Sequence, residues 1–167
     1  MQIKKIIIGI DDSKYAEHAA KYGFDLARKF DAVVGVVNII EPVVTPMDTS
    51  DNLLGVPLAN VGGPEEIDLI RSQADSSENL IRRTVDAMAE GVQVTYFSEY
   101  GSTADGILQC AKEFHADLIV VGTHKRSGLD RLLMGDVTEG IVRRATIPVL
   151  VVPFEEGNLS IRCAVIG

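Results

Sequence analysis

Unbroken apolar runs, rather than alternating ones, set the architecture open to this chain. Ile3 to Ile10 is nearly continuous in apolar, β-branched residues, and Ala32 to Ile40, Leu118 to Val121 and Ile147 to Val152 repeat the pattern. A strand with one wet face alternates polar and apolar side chains; a run that does not alternate is buried on both faces. Such strands need helices above and below them, and the segments between the runs have helical spacing. After Asp11, Asp12 and Ser13, the residues Ala16, Ala19, Ala20, Gly23, Ala27 and Phe30 recur on one helical face, with Ser13 placed as N-cap.

The rest of the chain continues the alternation. From Glu41 to Gly63 prolines and glycines break every period, so 41–63 reads as a long loop. Pro64 suits the first position of a helix carrying Ile67, Ile70, Ala74, Ile81, Val85 and Met88, with Gly91 placed to stop it. Val92 to Ser98 reads as a third strand, and Ser102 with Asp105 resembles a capping box for a helix bearing Ile107, Leu108, Ala111 and Phe114. Val137, Ile141, Val142 and Ala145 mark a last helix before the fifth strand. Pro148 places that strand at a sheet edge, or at the start of its pairing. The expected fold is therefore α/β: one domain over 1–153, with five parallel strands, helices on both faces and a Rossmann-like order. The tail, 154–167, has room for one short strand within Ile161 to Ile166.

In such sheets ligands bind beyond the carboxyl ends of the strands, where strand order reverses. Those ends are Asp11 to Ser13, Ile39 to Glu41, Tyr100 to Ser102 and Gly122 onward. Composition narrows what binds there. A formal net charge of −8 disfavours nucleic acid and anionic membrane surfaces. No apolar run approaches the ~20 residues of a membrane span, and the N-terminal run meets Asp11 and Asp12 too soon for a signal peptide. Cys110 and Cys163 are too few for a disulfide scaffold and, with His18, His115 and His124, show no metal-ligand spacing. A cytoplasmic protein with reduced thiols is expected, Cys110 falling near the apolar stripe of its helix.

The paired acids in IIIGIDDS resemble the magnesium-holding pair of response-regulator receiver domains. That reading also demands a phosphoacceptor aspartate ending the third strand and a lysine ending the last. Asp48 and Asp51 lie in the irregular loop instead, and Val152 stands where the lysine belongs. The receiver reading fails on both, and an acidic turn before a helix is ordinary capping chemistry.

The segment LIVVGTHKRSGLDRLLMGDVTEGIVRRATIPVLVV is more specific. Gly122 and Gly135 bracket a loop that leads from a buried strand to a helix N-terminus, where glycine admits a close ligand and amides present donors to an anion. The segment resembles the C-terminal signature of the universal stress protein family. In its ATP-binding members two residues separate a first and second glycine, nine more precede a third, and a hydroxyl residue follows. Gly122, Gly135, Val137, Thr138 and Glu139 match this pattern, as do the final IPVLVV and the opening IIIGIDDSKYAEHAAKYGFDLA. The resemblance implies the adenine-nucleotide alpha-hydrolase-like version of the fold and a pocket for AMP, ADP or ATP, with magnesium as a companion of ATP. It implies adenine recognition around Asp11, Ile39 and Val121 as apolar walls, and the main chain of Gly9 and Ile10 in the base pocket. The phosphate side falls to Gly122, Thr123, Lys125, Arg126, Ser127, Gly135, Asp136, Val137 and Thr138. It also implies a homodimer formed by pairing of the C-terminal edge strand, Pro148 to Val152.

Two positions depart from the family pattern. Lys125 replaces the second glycine, which costs on the order of 1–2 kcal/mol if the backbone there is left-handed. Asp136 replaces the hydroxyl residue, and at ~5 Å and an effective dielectric of ~20 it repels each phosphate charge by about 3 kcal/mol. Lys125 or Arg126 offsets a similar amount, so charge counting leaves ATP affinity open; the adenosine half of the pocket is the better matched. Three functions remain: a nucleotide-responsive regulatory dimer in stress response, a dimeric interaction module that has lost nucleotide, and a slow ATP hydrolase. The last ranks lowest, since no general base, metal-holding carboxylate pair or Walker-type lysine is evident and His124 has no serine–aspartate partners.

Overall fold

The computed structural model describes residues 2–41, 64–124, 135–154 and 164–166. Its elements run β1 (Lys5–Gly9), α1 (Lys14–Phe30), β2 (Val33–Ile40), α2 (Pro64–Met88), β3 (Val94–Tyr100), α3 (Thr103–Phe114), β4 (Leu118–His124), α4 (Asp136–Arg144), β5 (Val149–Phe154) and β6 (Ala164–Ile166). They form one sheet in the order β3-β2-β1-β4-β5-β6. The first five strands pair in parallel, and β6 pairs antiparallel to β5. Of the long loop only residue 41 is described, and Cys163 also lies outside the described residues.

The unbroken runs are buried on both faces, as their lack of alternation requires. Ile6, Ile7 and Ile8 of β1 are fully buried. Ile6 and Ile8 pack with α1 and α2 through Ala19, Phe24, Ala27 and Ile81, while Ile7 packs on the other face with Ile107, Cys110 and Ile141 of α3 and α4. Each such side chain contributes roughly 1.5–3 kcal/mol by leaving water. The small residues of α1 let it lie close to the sheet. By contrast β3, at one edge, is largely exposed, with Tyr96 and Tyr100 open to solvent.

Local signals act where expected, with two exceptions. Ser13 caps α1 by accepting from the Ala16 amide at 3.2 Å, and Gly91, at φ +74°, takes the left-handed turn that follows α2. Ser102 occupies the N-cap of α3, but no side-chain capping bond forms. Asp105 is drawn away by Arg144 of α4, whose guanidinium donates to its carboxylate; that hydrogen bond, with a second from Ser102, holds Asp105 below the usual carboxylate range. The second exception is the sheet edge. Pro148 immediately precedes β5, where its carbonyl accepts from the Ile119 amide at 3.0 Å. The edge beyond β5 is taken by β6, with Val149, Leu150 and Val151 opposite Ile166, Val165 and Ala164. The C-terminal edge strand is therefore β6 and not Pro148 to Val152, because the tail supplies a strand that satisfies the free ladder of β5.

Candidate functional site

Strand order reverses between β1, which leads to β2 and β3 on one side, and β4, which leads to β5 on the other. A cleft of about 920 Å³ opens there, at the carboxyl ends of β1, β2 and β4. Its floor comes from Gly9, Ile10, Ile39, Ile107 and Val121, and its rim from Asp11, Glu41, Thr103, Gly122, Thr123 and the α4 residues Asp136 to Glu139.

Short hydrogen bonds fix the end of β1. The Ile10 amide donates to the Val37 carbonyl at 2.8 Å, and the buried Asn38 amide nitrogen Nδ2 donates to the Ile10 carbonyl at 2.9 Å. With both backbone groups of Ile10 engaged, the turn after it is held, and Asp11 closes it by accepting from the Ser13 amide at 2.8 Å. The adjacent acid goes elsewhere: Asp12 meets Arg83 of α2 at 3.2 Å on the surface. The two acids thus diverge rather than converge on one ion. On the β2 side, Glu41 accepts from the Thr103 hydroxyl at 2.5 Å, joining the strand end to the start of α3.

At the end of β4, the first turn of α1 crosses almost in contact with Gly122. A β-carbon there would lie 2.3 Å from the Tyr15 carbonyl oxygen. The Thr138 hydroxyl, 5% exposed, donates to the Gly122 carbonyl at 3.2 Å and so clips α4 to β4. Gly135 is different: its φ of −58° and ψ of 156° are open to any residue, and a β-carbon there meets no described atom within 4 Å. Thr123 is 4% exposed, and its hydroxyl has no hydrogen-bond partner among the described residues.

The described charges around the cleft have one sign. Asp11, Glu41, Asp136 and Glu139 line it, and no lysine, arginine or histidine does among the described residues. Glu139 is met by Arg143 one turn on, at 2.7 Å, whereas Asp136 has no ion-pair partner among the described residues. Two negative side chains at the first turn of α4 already complement its partial positive charge.

A model of the universal stress protein family matches residues 2–153. The chain belongs to the universal stress protein family. A universal stress protein of Methanocaldococcus jannaschii is 34% identical over 152 residues, covering 89% of this chain and 81% of that one. Among solved structures, a second M. jannaschii protein superposes with a TM-score of 0.71 at 22% identity, covering 94% of this chain and all of that one. An Arabidopsis thaliana family member with AMP bound gives 0.63 at 18% identity, covering 92% and 93%. A universal stress protein in complex with cAMP also gives 0.63, at 20% identity, covering 91% and 98%.

In this universal stress protein the fold gathers Gly9, Ile10, Asp11, Ile39, Val121, Gly122, Thr123, Gly135, Asp136, Val137 and Thr138 around one cleft. Lys125, Arg126 and Ser127 lie outside the described residues, and nothing is described of the His124 side chain. The structure adds residues that the sequence reading did not single out. Asn38 carried a signal, as the one amide within an apolar strand. Tyr15, Thr103 and Ile107 carried none, since each is an ordinary helical residue until the helix is docked. His18 of α1 meets Tyr22 and Phe154 edge-on, with ring centroids 5.1 and 5.3 Å apart. Among the described residues no group of three or more His, Cys, Asp or Glu is arranged to hold a metal. Cys110 lies in the core, and burial pushes its thiol up to about 11, with Glu99 and Glu113 adding to the effect.

Proposed function

We propose that this protein is an adenine-nucleotide-binding regulatory protein of the stress response and that it works as a homodimer. The observation that carries the nucleotide half is the cleft itself. It lies at the switch point of the sheet, and its lining joins the apolar side chains of Ile39 and Val121, the strand end at Gly9 and Ile10, and the first turn of α4. That combination suits a flat heterocycle with a polar group at one end. Relatives with AMP and cAMP bound share the fold, which supports reading the cleft as a nucleotide pocket here.

The dimer half draws on the C-terminal edge of the sheet. With β6 in place, a second copy pairs either on the outer edge of β6 or directly on β5 after displacing it. An acidic chain with a core cysteine kept as a free thiol is consistent with a cytoplasmic setting. Thermal unfolding with and without excess AMP tests the nucleotide half: a ligand at 100 times its Kd stabilises by about 2.7 kcal/mol, roughly 5–10 °C for a chain of this size. An unmoved midpoint with AMP, cAMP and ATP alike refutes it. Sedimentation equilibrium tests the dimer half, and a monomer mass at tens of micromolar refutes it.

A further inference from the structure

We infer that the cleft discriminates by ligand charge, accepting adenosine or its monophosphate in preference to ATP, with Asp136 as the residue that sets the preference. The inference rests on the nucleotide reading above and concerns the same cleft. A triphosphate binds well where cations, unengaged hydroxyl donors and a bare helix N-terminus converge. Among the described residues the rim supplies no cation, and its helix N-terminus is not bare. It presents Asp11, Glu41, Asp136 and Glu139 and no cationic side chain. The Thr138 hydroxyl, which lines the cleft, already gives its proton to the Gly122 carbonyl. The first turn of α4, the natural anion seat, begins with the carboxylate of Asp136.

A second observation points to the kind of ligand the cleft does accept. Thr123 lines the cleft, and its hydroxyl is the buried side-chain polar atom left without a partner among the described residues. A buried group of that kind calls for a hydrogen-bonding partner, and a hydroxyl donates or accepts equally well to a neutral ligand such as a ribose. Asp11 and Glu41 are acceptors suited to the hydroxyl and amino donors of a nucleoside. The described lining of the cleft thus offers partners for neutral polar groups and sets the Asp136 carboxylate against a polyanion.

The test is isothermal titration of the full chain with adenosine, AMP, ADP and ATP in EDTA, for the wild type and Asp136→Asn. The wild type is expected to bind ATP at least threefold more weakly than AMP, and raising salt is expected to narrow that gap as the repulsion is screened. Asp136 is exposed, so water screens it more than the dielectric of ~20 taken from sequence alone: removing one carboxylate at ~6 Å, under an effective dielectric between ~40 and ~80, is worth roughly three- to tenfold per phosphate charge. Asp136→Asn is therefore expected to raise ATP affinity by at least that factor and leave adenosine within twofold. ATP binding as tight as AMP in the wild type overturns the inference, and so does an ATP-to-adenosine ratio unchanged by the substitution. Absence of binding by adenosine, AMP, ADP and ATP alike instead overturns the underlying nucleotide reading.

Discussion

Replacing Gly122 by alanine separates what this motif glycine does for the fold from what Gly135 does for the cleft. A β-carbon at Gly122 would stand 2.3 Å from the Tyr15 carbonyl oxygen, 2.6 Å from its carbonyl carbon and 3.0 Å from the Ala16 nitrogen. Ordinary contact begins near 3.4 Å, so α1 and β4 must separate by about 1 Å. All three obstacles are backbone, and the α1 turn that bears them is held by the Ser13 cap, so no side-chain rotation relieves the clash. Overpacking typically costs ~1–3 kcal/mol, and a backbone-limited case belongs at the upper end, about 3 kcal/mol. For a domain of this length that lowers Tm by roughly 6–12 °C. Circular dichroism melts of Gly122→Ala and Gly135→Ala side by side measure it. Gly135→Ala, with an unstrained backbone and open space for its β-carbon, is expected to melt within about 3 °C of wild type, while weakening AMP binding severalfold under the nucleotide reading. A Gly122→Ala protein melting within 2 °C of wild type refutes the claim that helix–strand contact demands this glycine.

Other consequences are smaller but as direct. Thr138→Val removes the hydrogen bond to the Gly122 carbonyl while keeping the side chain's shape, and a loss of about 1 kcal/mol in urea unfolding is expected; an unchanged midpoint argues against the clip. Asn38→Leu frees the Ile10 carbonyl and is expected to destabilise by ~1–3 kcal/mol and to weaken AMP binding, by titration, more than Thr138→Val does. Asp105 is held below the usual carboxylate range by Arg144, so its contribution is present above the unfolded value of about 4 and is lost as pH falls through its lower folded value. The stability gap between wild type and Asp105→Asn should accordingly close as pH is taken below about 4 in urea titrations; a gap that widens with acid contradicts the assignment. In a Cys163→Ser background, Cys110 should react with Ellman's reagent at pH 8 only as fast as the protein opens, since its thiol is buried and raised to about 11.

The universal stress protein architecture was legible because its signals are local. Apolar runs without alternation, helical spacing between them and the placement of Ser13 and Gly91 each depend on a few neighbouring residues, and each appears in the structure. The spacing of Gly122, Gly135 and Thr138 was legible for the same reason, and it led to the cleft. Where local reading fell short, a distant residue had intervened. The Ser102–Asp105 box gave way because Arg144, 39 positions beyond Asp105, offers a full positive charge against one amide. The edge assigned to β5 passed to β6, because an unpaired ladder accepts whatever strand the tail can deliver.

From the sequence by itself came the parallel sheet, its two helical layers, the strand ends at which the cleft opens and the glycines Gly122 and Gly135 that bracket the loop beside it. Only the tertiary structure decided how those parts face one another. It turned Asp11 toward the cleft and Asp12 toward Arg83, engaged the Thr138 hydroxyl with Gly122 and left that of Thr123 without a described partner. The physical reason is that periodicity and capping are fixed by a few neighbouring residues along the chain. The electrostatics and hydrogen bonding of a site depend instead on which distant groups packing brings within about 3 Å.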